Sequence, residues 1–241
     1  MLQKTRAIVL HALRYGDSSL IVHAFTEAWG RKTFILKGVR KSKKSNRSGM
    51  FQPLYLLNLD VAYRDNRDMQ WIREASFMHT VPGFNQNVVK SAQALFIGEV
   101  LMKTIREEER NPDLFGFLVH SIVHFNTLEK TSPSFHIIFL FKLSRYLGFQ
   151  PNNNYSDLNI FFNTDSGLFS SHPDSTDLAL EKLLGKHWKA CFSCDYQSAD
   201  QEFNNQHTRN IFLDSLLQFY RVHHHSMKEL KSLEVLRAIF S

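Results

Sequence analysis

KTRAIVLHALRYGDSSLIVHAFTEAWGRKTFILKG, residues 4–38, decides how the first third of the chain folds. Thr5–Leu13 sets Ala7, Val9 and His11 against Ile8, Leu10 and Ala12, the two-residue period of a strand, and stops at the turn Tyr15-Gly16-Asp17-Ser18-Ser19. Leu20–Phe25 reads as a second strand. Trp29-Gly30-Arg31 then turns the chain into Lys32–Lys37, where Thr33, Phe34, Ile35 and Leu36 give the β-branched and aromatic character of a third strand, closed by Gly38. Working outward, the basic run 37–47 is expected as a loop leading through Gly49 and Pro53 into a fourth strand, Leu54–Tyr63. The polar turn Arg64-Asp65-Asn66-Arg67-Asp68 joins it to a hairpin partner, Met69–Phe77. Five short strands in about eighty residues, with no helical period among them, have the rhythm of a small β-barrel.

The period changes after Pro82-Gly83. Val88, Ala92, Leu95, Phe96, Val100 and Leu101 recur at three- and four-residue steps and predict one long amphipathic helix over 86–109, ending in the charged stretch Arg106–Arg110. Asn111-Pro112-Asp113 and Ser132-Pro133 carry helix start signals, the second opening the almost wholly apolar Ser134–Leu147, which Gly148 closes. Residues 150–175 read as an irregular connection with a short hairpin, Asn159–Phe162 against Gly167–Phe169. Helices are expected again at about 176–192 and 208–225. The fold class is therefore α+β and multidomain. An N-terminal barrel of the oligonucleotide/oligosaccharide-binding (OB) type over 1–80 precedes an all-α domain over 81–241, the latter interrupted at about 150–175.

The chain has 241 residues, 43% hydrophobic and 22% charged, which excludes wholesale disorder and a fibrous repeat. Two cysteines build no disulfide framework, and neither a signal-like N-terminus nor a run of about 18 apolar residues is present, so a cytoplasmic protein is expected. The 29 Lys+Arg against 23 Asp+Glu give +6. The excess is not spread evenly: residues 1–80 hold 14 basic and 6 acidic residues, and residues 81–241 hold 15 and 17. Eight cations fall within residues 31–47, and no acid lies between Glu27 and Asp60. Such a run can be a solvated loop, but a cluster of this density also rewards a polyanion, because each neutralised phosphate releases counterions.

Catalytic constellations are sparse. Cys191-x-x-Cys194 could hold half a zinc site, yet no second cysteine pair exists and packing is the expected role. His223-His224-His225, if helical, point in three directions and cannot share one ion. No glycine-rich phosphate loop and no Gly-x-Ser-x-Gly elbow occurs, and Asp17, Glu27, Asp60, Asp65, Asp68 and Glu74 are scattered. A nuclease or an RNA-modifying OB enzyme, the competing class, would need a carboxylate cluster for its metal. Aromatics among the cations fit single-strand binding, in which bases stack on rings in a positive groove. Of Tyr15, Phe34, Tyr55, Tyr63 and Trp71, we expect Phe34 and Trp71 to fill the barrel and Tyr15 and Tyr63 to be exposed.

Several short motifs in order resemble the RecO family of bacterial DNA repair proteins. They are Lys4-Thr5-Arg6-Ala7-Ile8-Val9-Leu10, Tyr15-Gly16-Asp17-Ser18-Ser19, Phe25-Thr26, Gly30-Arg31, Lys37-Gly38-Val39-Arg40-Lys41-Ser42 and Gln52-Pro53-Leu54. Tyr146-Leu147-Gly148-Phe149-Gln150-Pro151, Gly167-Leu168-Phe169 and Leu216-Leu217-x-x-Tyr220-x-x-x-His224, followed by Lys231-Ser232 and Leu236, continue the resemblance over most of the chain.

The resemblance implies a non-enzymatic recombination mediator that binds single- and double-stranded DNA and anneals complementary strands. With RecR, it would let the RecA recombinase load onto DNA covered by single-strand-binding protein. It places DNA contacts on the basic barrel, here Arg14, Arg31, Lys37, Arg40, Lys41, Lys43, Lys44 and Arg47. It also implies that the helical domain docks the acidic tail of single-strand-binding protein, for which Arg209, Arg221, Lys231 and Arg237 are the available cations. Many members carry a four-cysteine zinc site after the Leu-Gly-Phe-x-Pro segment. This chain has Asn152-Asn153-Asn154-Tyr155 and Ser170-Ser171-His172-Pro173 there, so no zinc and no other cofactor is expected, and the hairpin must be held by packing and hydrogen bonds.

Overall fold

In the computed structural model, which describes residues 2–38, 47–78, 87–106 and 108–239, the first strand is long enough to serve two neighbours. This strand, β1 (Leu2–Tyr15), pairs antiparallel with β2 (Ser19–Thr26) through its C-terminal part and with β4 (Leu56–Ala62) through its N-terminal part. β3 (Gly30–Lys37) lies against β2, and β5 (Met69–Phe77) against β4. The circle closes where β3 and β5 run parallel, giving the order β1-β2-β3-β5-β4 of an OB-type barrel. That seam is short: three residue pairs join β3 to β5, against six to eight at the other ladders. The alternation in β1 breaks at one point, since Ala7, Ile8, Val9 and Leu10 are all buried. A bulge between Val9 and His11 then resets the register, so that His11 faces outward and is exposed.

Consecutive burial in β1 has a cause on its outer side. Helix α1 (Val88–Thr104) crosses there, so close that a Cβ on Gly98 would lie 2.8 Å from Pro53 Cβ and 3.2 Å from Leu10 O. Helix α2 (Pro112–Thr127) sets Phe115 against Phe25 of β2, ring centroids 6.0 Å apart. Asn87 and Asn111 cap the two helices by accepting from Lys90 N and Leu114 N, both at 3.0 Å. The expected helix over 86–109 stops at Thr104 because Ile105 takes an extended conformation (ψ 111°) and a side chain from the barrel receives the last carbonyls. Chain contacts group the barrel, α1 and α2 as one compact unit, Met1–Thr127, and Leu128–Ser241 as a second. The expected boundary near residue 80 lies outside the described residues.

In the second unit, α3 (Phe135–Tyr146) is buried along most of its length and ends at Gly148, whose φ of 84° a side chain would oppose. The hairpin β6 (Phe161–Asn163) and β7 (Leu168–Ser170) follows, its first strand starting two residues and its second one residue later than expected. Packing holds it: Phe162 stacks on Trp188 at 3.9 Å, and the Asn154 amide bonds both the N–H and the C=O of Phe169 at 2.8 Å. Trp188 belongs to α4 (Leu178–Cys191), is wholly buried and donates from Nε1 to Ser215 Oγ. Helix α4 comes so close to the hairpin that a Cβ on Gly185 would collide with the Ile160 carbonyl.

Two helices escaped the periodicity reading. One is α5 (Ala199–Glu202), whose Asp200 accepts from Ser132 Oγ and Ser134 N and so caps α3 from a distance. The other is α7 (Lys231–Ile239), which follows α6 (Gln206–His223). Because α6 ends at His223, the three consecutive histidines are not all helical. His223 Nε2 meets Thr164 O, and His224 Nδ1 meets Ser226 Oγ. Among the described residues no helix is long and apolar enough to cross a membrane.

Candidate nucleic-acid interface

Alternation along the barrel strands separates an inner from an outer set of side chains. Leu20, Val22, Ala24 and Phe34 are buried inward, whereas the cross-strand row Leu13, Ile21, Ile35, Trp71 is on the outer face, with Ile35 covered. Beside it run two further outward rows, Tyr15, Ser19, Lys37 and His11, His23, Thr33, Met69. Tyr15 is 55% exposed and Leu13 39%, so this part of the barrel wall presents apolar and aromatic surface.

Trp71 is therefore not a core residue. Phe34 fills the barrel as expected, but Trp71 stands on the outside among cations. Lys37 Nζ sits 4.2 Å from its ring centroid, with the Arg67 and Arg73 guanidinium carbons at 5.6 and 5.7 Å. Tyr55 is buried, with its ring edge-on to Phe77. Tyr63 stacks on Trp29 at 4.3 Å. Arg67 and Arg73 were missed by counting charge in runs. Strand parity could have found Arg73, since Met69, Trp71 and Arg73 alternate with the inward Gln70 and Ile72, whereas Arg67 lies in the turn before β5. Buried Gln70 also fixes the turn that carries Arg67: its Nε2 donates to Arg64 O at 2.8 Å and Arg67 O at 2.7 Å, while its Oε1 accepts from Arg64 N at 2.9 Å.

The expected cations separate in the structure. Lys37 joins the Trp71 cluster. Arg14 is exposed, but it pairs with Leu20 and so faces the other side of β1 from Tyr15. Arg31 acts as a helix cap: its Nη1 donates to Met102 O at 3.0 Å and Ile105 O at 2.7 Å, opposing the negative end of α1. Arg40, Lys41, Lys43 and Lys44 lie outside the described residues. Arg47 begins a short 3-10 turn, Arg47–Met50.

In the second unit the expected partner cations also divide. Arg209 is drawn inward, donating to Phe203 O at 3.0 Å, with burial holding its pKa below the usual guanidinium value. Arg237 is ion-paired with Asp214, whereas Arg221 and Lys231 are exposed. Cys191 and Cys194 are buried free thiols. Burial first, then the neighbouring Cys194 and Glu202, push the Cys191 thiol well above its ordinary range, which makes it a packing group and a poor nucleophile. Among the described residues no three His, Cys, Asp or Glu side chains are grouped so as to hold a metal ion.

Comparison with known proteins agrees with the geometry in both halves of the chain. Residues 1–81 match the family model described as Recombination protein O N terminal, and residues 85–234 match Recombination protein O C terminal. The chain is 36% identical over 241 residues to the DNA repair protein RecO of Christiangramia forsetii, covering all of both chains. It is 34% identical over 241 residues to that of Bacteroides fragilis and 32% to that of Phocaeicola vulgatus, again with full coverage of each. An OB-type barrel with a cation-ringed indole on its wall, followed by a helical region, thus stands in a chain that belongs to the RecO family of DNA repair proteins.

Proposed function

We propose that this protein is a non-enzymatic recombination mediator that binds single- and double-stranded DNA and anneals complementary strands. The observation that carries the reading is Trp71 on the outer barrel wall with Lys37, Arg67 and Arg73 around it. A single strand laid along this wall can stack a base on the indole while the three cations meet phosphates, and β3 ends at Lys37, where the basic run toward Arg47 begins. Annealing needs no catalytic group. Cations that hold two strands reduce their mutual repulsion, and contacts made to phosphate leave base edges free to pair. In this reading Arg40, Lys41, Lys43, Lys44 and Arg47 extend the phosphate track, and Arg31 serves the barrel by capping α1.

The protein acts with RecR in the bacterial cytoplasm to help RecA load onto strands covered by single-strand-binding protein, whose acidic tail docks on the helical region near exposed Arg221 and Lys231. The test is annealing of labelled complementary oligonucleotides, with and without saturating single-strand-binding protein and RecR, at two salt concentrations. Changing Lys37, Arg67 and Arg73 to Ala should flatten the salt dependence of single-strand binding by about 0.7 log units per lost contact. Trp71→Ala should weaken it by about 1–3 kcal/mol, the usual worth of one stacked base. Unchanged binding in both variants would remove this wall as the DNA site. Metal-dependent turnover of the oligonucleotides would favour an enzyme instead.

A further inference from the structure

We propose that His11 and His23 form a proton-linked phosphate seat beside the Trp71 platform: nucleic acid docking on this wall draws protons onto the two imidazoles, which then hold a backbone phosphate. The inference rests on the wall being the nucleic-acid site. His11 and His23 are cross-strand partners on the outer face, one row from Ile21, Ile35 and Trp71. Their rings lie nearly parallel, with centroids 6.4 Å apart and planes 12° from one another. His23 Nδ1 shares a 3.1 Å hydrogen bond with Thr33 Oγ1. As an imidazolium, His23 donates from Nδ1 to that hydroxyl and offers its Nε2–H to a ligand.

The surroundings explain why the protons should come with the ligand. His23 lines an open hollow of about 560 Å³. From β3 the hollow receives Arg31 and Lys32, from the β4–β5 turn Asp65, Arg67 and Asp68, and from the segment after α1 Arg106 and Glu108. Lys32 is already paired with Glu108 at 3.3 Å. Four cations thus face three carboxylates in the hollow, a near balance to which a charged His23 would add. In the empty protein, burial keeps the His23 pKa below its ordinary value, and Arg31 and His11 push it the same way. A phosphate held at the edges of the two rings by their N–H groups reverses that, because an anion within a few ångströms favours the charged form of both.

The sign follows from linkage. Histidines whose proton affinity is higher in the complex make binding strongest below their pKa in the free protein, and the gain is lost as pH rises through their pKa in the complex. Each proton taken up corresponds to about tenfold tighter binding per unit fall in pH. The experiment uses the full chain and a labelled oligo-dT strand, with affinity measured from pH 8 to pH 6 at fixed salt. Calorimetry at pH 7 in two buffers of different ionisation enthalpy counts the protons directly. Tightening toward pH 6, with net proton uptake that His11→Gln reduces and His11→Gln/His23→Gln abolishes, supports the seat. Affinity independent of pH, or a pH dependence that survives in the double variant, overturns it while leaving the wall as the DNA site. Absence of binding at every pH overturns both. Proton counting on the unaltered protein keeps the test decisive even if the double variant folds poorly.

Discussion

His136 shows how a single side chain can set the acid limit of the molecule. It is buried in α3, and burial, with Arg209 adding repulsion, lowers its pKa from 6.5 to about 3. Its folded-state value lies below its unfolded one, so the unfolded chain binds a proton first. The neutral form therefore costs nothing above pH 6.5, and stability declines as pH falls from there toward 3. Urea unfolding should lose about 2–3 kcal/mol between pH 7 and pH 4.5 from this residue alone. His136→Gln, whatever it costs at neutral pH, should lose correspondingly less over that range. Nothing in the sequence marks His136 among twelve histidines, because burial by other elements is what makes it special. Trp71 gives a parallel lesson. Its ring type favours the core, and only the parity it shares with Arg73, set against buried Gln70 and Ile72, shows that it faces out.

Elements were legible where their signals are local. Met69–Phe77 is a strand with the expected bounds, and the Asn-Pro-Asp start opens α2 as read, because alternation and capping depend on neighbouring residues. The end of α1 was not legible, since Arg31 receives its carbonyls from more than seventy residues away. Helix α5 is four residues long, too short for any period to appear. Glycines in helices make the same distinction testable. Gly185 of α4 has no room for a methyl against the Ile160 carbonyl, whereas nothing lies within 4 Å of a Cβ on Gly116 of α2. Gly185→Ala should destabilise the protein by about 3 kcal/mol, near the upper end for overpacking. Gly116→Ala should stabilise it by about 0.5–1 kcal/mol, the helix preference for alanine. Thermal unfolding of the two variants should shift in opposite directions.

For the whole molecule, the sequence already placed the charge excess on the N-terminal third, and the structure refines what that excess does. Some of it is structural: Arg31 caps a helix and Arg6 pairs with Glu27. The part that marks a surface is smaller and lies where runs of charge do not point, at Lys37, Arg67 and Arg73, brought together only by barrel closure. Which strands close the barrel was beyond a reading of local pattern, because pairing β3 with β5 joins segments more than thirty residues apart in parallel. The three-pair seam then has a kinetic meaning. It is the join at which the barrel should breathe most often, and Ile35 and Trp71 form its last pair. A strand stacked on Trp71 and gripped by Lys37 on β3 would act as a splint across that join. Amide hydrogen exchange at 33–35 and 69–71 should be faster than in the β1–β2 ladder in the free protein, and should slow most on adding single-stranded DNA.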